Sequence, residues 1–140
     1  NLVKLARELK VSDHVEIIPS VPNENIPDFL QKADLGIYPA LPDPHMSIAI
    51  PGKILEFAIM GLPIVSSRLQ IVEEMFDDDA VSFFEPGNYE EFARRVVDIQ
   101  SDPLTRTRMI LKTDRILEEK FSPIQETRNY FHLLEDLLNR

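Results

Sequence analysis

Short apolar runs alternate along this chain with segments that have the periodicity of an amphipathic helix, and this alternation limits the folds open to it. Four runs predict strands: residues 15–18, 35–38, 63–66 and 81–84. Between them, apolar side chains recur at helical spacing, as Leu2, Leu5, Ala6 and Leu9 do at the start of the chain. Strands and helices that alternate at these lengths are typical of βαβ units. We therefore predict an α/β fold, a doubly wound parallel sheet with helices on both faces.

The ends of the predicted helices are marked by residues that favour helix termini. Pro51 or Gly52 should begin one helix, and Gly61 should follow its end. Three further starts are a capping box at Asn88 and Glu91, Asp102 before Pro103, and Ser122 before Pro123. Three C-terminal helices are therefore expected to close a Rossmann-like domain.

The charge balance excludes several kinds of partner. The 140 residues include 15 Lys and Arg against 24 Asp and Glu, a formal net charge of −9. This sign opposes binding to nucleic acid or to anionic lipid. No apolar run approaches the roughly 20 residues of a membrane-spanning helix, and no signal peptide is recognisable. With no cysteine, the chain fits a reducing compartment. We predict a cytoplasmic protein with no nucleic-acid partner and no membrane segment.

The loop from residue 39 to residue 51 is a candidate ligand loop. It contains four prolines, and it is longer than the usual connection from a strand to a helix. Ligands of open α/β sheets bind at such loops, beyond the carboxyl ends of the strands. The helix start at Pro51, Gly52 and Lys53 offers free N–H groups, a positive dipole end and a cation, which together favour a phosphate. An ordinary first turn with a solvated lysine explains the same residues.

Glu56 is the second candidate on this helix. Its neighbours Ile54, Leu55, Phe57 and Ala58 are apolar, a setting in which a carboxylate needs a partner. One turn into the helix, its oxygens could accept hydrogen bonds from vicinal hydroxyls such as those of a ribose. The alternative is that Glu56 occupies the exposed stripe of an amphipathic helix.

Residues 51–65, PGKILEFAIMGLPIV, carry a resemblance to a known family. They resemble the Pro-x-Lys-x-x-Glu-(Phe/Tyr)-x-x-x-Gly-x-Pro-(Ile/Val)-Val signature in the C-terminal halves of retaining nucleotide-sugar glycosyltransferases with the GT-B fold, the group 1 family. Residues 33–39, 84–88 and 121–122 resemble its flanking motifs in the same order.

The resemblance implies a function and a site. The implied reaction transfers a sugar, with retention, from a nucleoside diphosphate sugar to an acceptor hydroxyl. Glu56 would bind the donor ribose, and Pro51, Gly52 and Lys53 would face the diphosphate. Val21, within residues 19–22, would lie beside the nucleobase. The donor is a substrate, and neither a cofactor, a metal site nor a catalytic residue is expected within this chain.

Two departures from the family pattern concern the half of the site that faces the sugar. Many relatives have a second glutamate eight positions before the ribose-binding one, where this chain has Ile48, and Asp43 and His45 are the nearest polar residues. Leu69 and Gln70 replace the usual glycine pair after the strand at residues 63–66. These changes fit a divergent donor and weakened catalysis equally.

The resemblance also predicts how the chain is organised. Residues 1–140 would be a single partial domain, the donor-binding half of a longer enzyme, without its first strand and its N-terminal acceptor domain. Alone, such a chain should bind nucleotide poorly and should not turn over. The alternative is a non-catalytic α/β interaction or scaffold module derived from such a domain.

Other polar residues predict no separate site. The turn at Asp77, Asp78 and Asp79 fits a solvated acidic turn better than a cation site. His14 and His132 have no convergent partners in the sequence for metal binding or base chemistry. Ser67 and Arg68 follow a predicted strand and could approach the cleft.

Overall fold

The structure, a computed structural model, describes residues 2–43 and 49–138 and divides the chain into two compact units, Asn1–Gln31 and Lys32–Arg140. The first unit contains helix α1 (Leu2–Glu8), two 3₁₀ turns (Ser12–His14 and Asn23–Asn25) and helix α2 (Ile26–Leu30). The predicted strand at residues 15–18 is wrong. Parallel strands form by pairing with a neighbour, and the described residues place no strand against this run.

The second unit contains the sheet. Its elements, in chain order, are β1 (Gly36–Tyr38), α3 (Gly52–Ile59), β2 (Ile64–Ser67), α4 (Gln70–Met75), β3 (Val81–Phe84), α5 (Tyr89–Ser101), α6 (Pro103–Lys120) and α7 (Pro123–Leu138). The three strands are parallel in the order β1-β2-β3, with Gly36 opposite Ile64 and Ile64 opposite Val81. This architecture confirms the predicted Rossmann-like α/β class, closed by C-terminal helices.

The central strand β2 separates two apolar layers, and all four of its residues are buried. Ile64 belongs to the layer that contains Ile54 of α3 and Val72 of α4. Val65, the next residue, belongs to the layer that contains Ile99 of α5. Successive side chains of a strand point to opposite faces, so helices cover both faces of the sheet, as a doubly wound fold requires.

Helix α3 is fixed against β1 by a close approach at Gly36. A Cβ atom on Gly36 would lie 2.5 Å from Cγ and Cδ2 of Phe57 on α3. Gly36 is therefore the residue that allows α3 to pack this tightly on the strand that precedes it. The same contact fixes the position of the first turn of α3, which carries the candidate site.

The helix boundaries follow the predicted capping residues. Gly61, with φ of 68°, donates its N–H to the Ala58 carbonyl at 3.0 Å, and the N–H of Leu62 reaches the Phe57 carbonyl at 3.0 Å. These two bonds are the Schellman arrangement that ends α3. The Asp102 carboxylate accepts from the N–H groups of Leu104 and Thr105 and begins α6 as expected.

The capping box at the start of α5 is formed in part. Asn88 accepts a hydrogen bond from the Glu91 N–H at 3.1 Å, as predicted. The Glu91 carboxylate, however, accepts from the N–H of Glu85 rather than that of Asn88. This bond reaches back across the turn before the helix, and with the Arg95 side chain it lowers the pKa of Glu91 below its ordinary value.

Candidate functional site

The carboxyl ends of the three parallel strands meet at one edge of the sheet. The strands end there at Tyr38, Ser67 and Phe84. The chain leaves β1 at this edge and enters α3 at Gly52, so the first turn of α3 lies beside the strand ends. Burial of the Tyr38 side chain raises the pKa of its phenol. In an α/β sheet this edge is where ligands bind.

The first turn of α3 has backbone donors that no described residue caps. Pro51, the residue before the helix, is extended (φ −75°, ψ 97°) and makes no side-chain cap. Its carbonyl accepts from the Ile54 N–H at 3.0 Å, while the N–H groups of Gly52 and Lys53 have no partner among the described residues. A Cβ atom on Gly52 would meet nothing within 4 Å. The turn is therefore open to a close backbone approach by an anion.

The structure brings Lys53 and Glu56 together on the exposed side of α3. Lys53 Nζ donates to Glu56 Oε2 at 2.8 Å, with the two side chains 56% and 37% exposed. Ile54 and Ala58 form the buried side of the same helix. Glu56 is thus not enclosed by the apolar residues that flank it in the sequence. Its other oxygen, Oε1, accepts no hydrogen bond from a described residue.

The other positions considered for the site precede α3 in the chain. Val21 lies in the first unit, half-buried, just before the 3₁₀ turn Asn23–Asn25. Asp43 is exposed, whereas His45 and Ile48 fall outside the described residues. The roles predicted for Val21 and for the residues that face the sugar stay predictions.

Two serines at the end of β2 are fully buried. Ser66 Oγ donates to the Ser67 carbonyl at 3.0 Å. Ser67 Oγ has no hydrogen-bond partner among the described residues, although the atom is shielded from solvent. A buried hydroxyl without a partner is uncommon because its desolvation is not compensated. The apolar run of β2 predicted a strand here but gave no sign of this unsatisfied group.

Arg68, which follows β2, is held along β3. Its guanidinium bonds the Asp78 carboxylate at 2.7 Å and that of Glu73, and its Cζ lies 4.8 Å from the centre of the Phe83 ring. The hydrogen bond to Asp78 and then that to Glu73 raise the pKa of Arg68 above its ordinary value. These contacts hold Arg68 beside β3 rather than beside the first turn of α3.

The acidic turn after α4 is exposed, as predicted, and basic side chains from distant positions pair with it. Asp77 Oδ2 lies 3.0 Å from Lys112 Nζ, and Asp78 bonds Arg68.

His132 lies 3.6 Å from Glu135 on the exposed surface of α7. Among the described residues, no three His, Cys, Asp or Glu side chains are grouped to hold a metal ion.

Comparison with known proteins gives a family. The sequence model of the family described as "Glycosyl transferases group 1" matches residues 1–102, which include every element from α1 to α5. No curated protein matches the chain. In the part of the chain that the structure describes, no helix is long and apolar enough to cross a membrane.

Proposed function

The chain belongs to the group 1 glycosyl transferases, and on that premise we propose that it forms the donor-binding part of a GT-B glycosyltransferase. The proposed reaction transfers a sugar, with retention, from a nucleoside diphosphate sugar to an acceptor hydroxyl bound by another domain. The donor is a substrate, and no cofactor or metal is assigned to this chain.

The observation that carries the proposal is the uncapped first turn of α3 at the carboxyl edge of the sheet. The N–H groups of Gly52 and Lys53 have no partner among the described residues, and the Gly52 Cα faces open space. Uncapped N–H groups and the positive end of the helix dipole stabilise a phosphate placed against them. We assign this turn to the donor diphosphate, with Pro51 directing the chain into it.

The pair of Lys53 and Glu56 supports an exchange of partners when a donor binds. At 2.8 Å the two groups form an ion pair. A diphosphate at the first turn offers Lys53 a stronger acceptor than Glu56. The phosphate accepts charge-assisted hydrogen bonds and is also stabilised by the positive end of the α3 dipole. Glu56 is then left with both oxygens for the two hydroxyls of a ribose. Val21 is assigned to the nucleobase.

The chemical contribution of these residues is electrostatic. As the bond between the sugar and the diphosphate breaks, negative charge grows on the leaving phosphate oxygen. Fixed donors aimed at that oxygen stabilise the transition state more than the ground state. Gly52 N–H, Lys53 N–H and Lys53 Nζ are the donors that we assign to this role. No general base is assigned within the chain.

Calorimetric titration of the 140-residue chain tests the proposal. UDP-, GDP- and ADP-sugars are compared with the matching nucleoside monophosphates and with free sugars. We expect one diphosphate series to bind, weakly because the chain alone should bind nucleotide poorly, and the monophosphate to bind at least about tenfold more weakly still because it lacks one phosphate contact. Equal binding of nucleoside mono- and diphosphates would contradict the placement of the diphosphate. No binding in any series, by the chain and by a longer protein that adds the acceptor domain, would favour the scaffold alternative.

A further inference from the structure

A second cleft lies in the Lys32–Arg140 unit, beside strand β3. It has a volume of about 550 Å³, within the range of sites for small molecules. Its walls come from the turn after α4 and from helices α5 and α6. None of the residues of α3 assigned to the donor lines it.

Four cations line this cleft although the chain carries a net charge of −9. They are Arg68, Arg95, Arg108 and Lys112. Three of them each have a carboxylate partner: Arg68 bonds Asp78, Arg95 bonds Glu91 at 3.1 Å, and Lys112 pairs with Asp77 at 3.0 Å. Each cation still has N–H groups beyond those that the carboxylates occupy.

Arg108 differs from the other three cations. Within the described residues, its guanidinium donates to a neutral acceptor, the Thr105 hydroxyl, at 2.8 Å, and to no carboxylate. Arg108 is exposed and lies one helical turn before Lys112 on α6. Of the cations in this cleft, it is therefore the one without a direct carboxylate contact among the described residues, although the Asp102 carboxylate interacts with it electrostatically.

The cleft also offers an acceptor and an apolar floor. Asp79 lines it, and no described residue donates a hydrogen bond to the Asp79 carboxylate. Phe83, Ile99 and Met109 line it as well, and each of them is at most 6% exposed. A suitable ligand therefore has an anionic group, hydroxyl donors and a small body.

We propose that this cleft binds a sugar phosphate, independently of the donor site. The phosphate lies against Arg108, with Arg95 and Lys112 adding N–H donors. The sugar ring packs over the apolar floor and donates hydroxyl hydrogens to Asp79. A simple anion would leave Asp79 as a repelling charge, whereas a phosphorylated polyol uses both the cations and the carboxylate.

An NMR titration of the ¹⁵N-labelled chain tests the proposal with glucose 6-phosphate, glucose and inorganic phosphate as probes. We expect glucose 6-phosphate to shift the amides of Ser82, Thr105 and Arg108 and to bind at least about tenfold more tightly than glucose. Inorganic phosphate should shift the same amides with a weaker Kd. If glucose binds as well as its phosphate, or if the shifts fall on Gly52 and Lys53 instead, the proposal is overturned.

Three variants separate the two halves of the site. Arg108→Gln should weaken glucose 6-phosphate binding at least about tenfold. Arg106→Gln is the control, because it removes the same charge from α6 but lines a different cleft. Asp79→Asn should weaken the binding of glucose 6-phosphate without weakening that of inorganic phosphate. Equal affinities in the Arg108 and Arg106 variants would contradict the assignment. These results do not depend on whether the chain binds nucleotide sugars.

Discussion

Glu56→Gln should separate the proposed role of Glu56 in binding from any role in stability. Glu56 and Lys53 are exposed by 37% and 56%, and their contact is a single ion pair at spacing i, i+3. Such pairs contribute about 0.3–0.5 kcal/mol to stability. The substitution should therefore lower Tm by only about 1–2 °C in a domain of this size. In the complex, it weakens two hydrogen bonds from ribose hydroxyls to a carboxylate. Bonds to a charged group contribute about 1.5–3 kcal/mol, so donor affinity should fall at least about tenfold.

The assay measures donor Kd by calorimetry and Tm by circular dichroism in one buffer. Glu90→Gln is the matched control, because Glu90 is exposed in the first turn of α5 and makes no described side-chain contact. It changes the net charge by the same amount at a helix start that we do not assign to the donor. If the two variants bind the donor equally well, Glu56 does not hold the ribose. If Glu56→Gln lowers the free energy of unfolding by several kcal/mol, the ion pair of Glu56 and Lys53 contributes more to stability than an exposed pair should.

Four further substitutions test the packing and the polar contacts. Gly36→Ala places a methyl group 2.5 Å from Phe57 ring atoms, so urea unfolding should show a loss of about 1–3 kcal/mol. Thr113→Val removes a hydroxyl whose one hydrogen is shared by the Met109 carbonyl at 2.8 Å and the Ala80 carbonyl at 3.3 Å, and it should cost about 1 kcal/mol. Ser67→Ala should cost less than about 0.5 kcal/mol, because the Ser67 hydroxyl has no described partner. Asp102 has a pKa lowered by its hydrogen bonds from Thr105 and Leu104. The charged carboxylate therefore stabilises the fold at pH values above the pKa of Asp102 in the unfolded chain. This stabilisation is lost as the pH falls through the lower pKa that Asp102 has in the folded chain. Below about pH 4, Asp102→Asn should therefore lose less stability on acidification than the parent chain in thermal unfolding.

The parts of the fold that were predictable from sequence depend on local signals. Gly61 ends α3 because its backbone adopts a positive φ, and Asp102 begins α6 because a carboxylate one residue before a helix reaches the first N–H groups. The run at residues 81–84 predicted its strand because it is short and bounded by turn residues, and β2 supplies the partner that it needs. The two helix ends are decided within a few residues of chain.

The features that were missed depend on residues far apart in sequence. The run at residues 15–18 has strand composition, but a strand needs a partner ladder and the described residues provide none. The sequence left open an approach of Arg68 to the cleft, and in the structure Asp78 holds Arg68 along β3. Lys112 and Asp77 meet because α6 returns past the turn after α4. Side-chain directions set by such tertiary partners are not encoded in local periodicity.

An amide chemical-shift map of the chain with a nucleoside diphosphate at saturating concentration tests the donor site most directly. We expect the largest shifts to fall on Gly52 and Lys53, because the phosphates bind at the uncapped first turn of α3. A map with its largest shifts on Ser82, Thr105 and Arg108, or with no cluster of shifts, would contradict the assignment of α3 as the donor site.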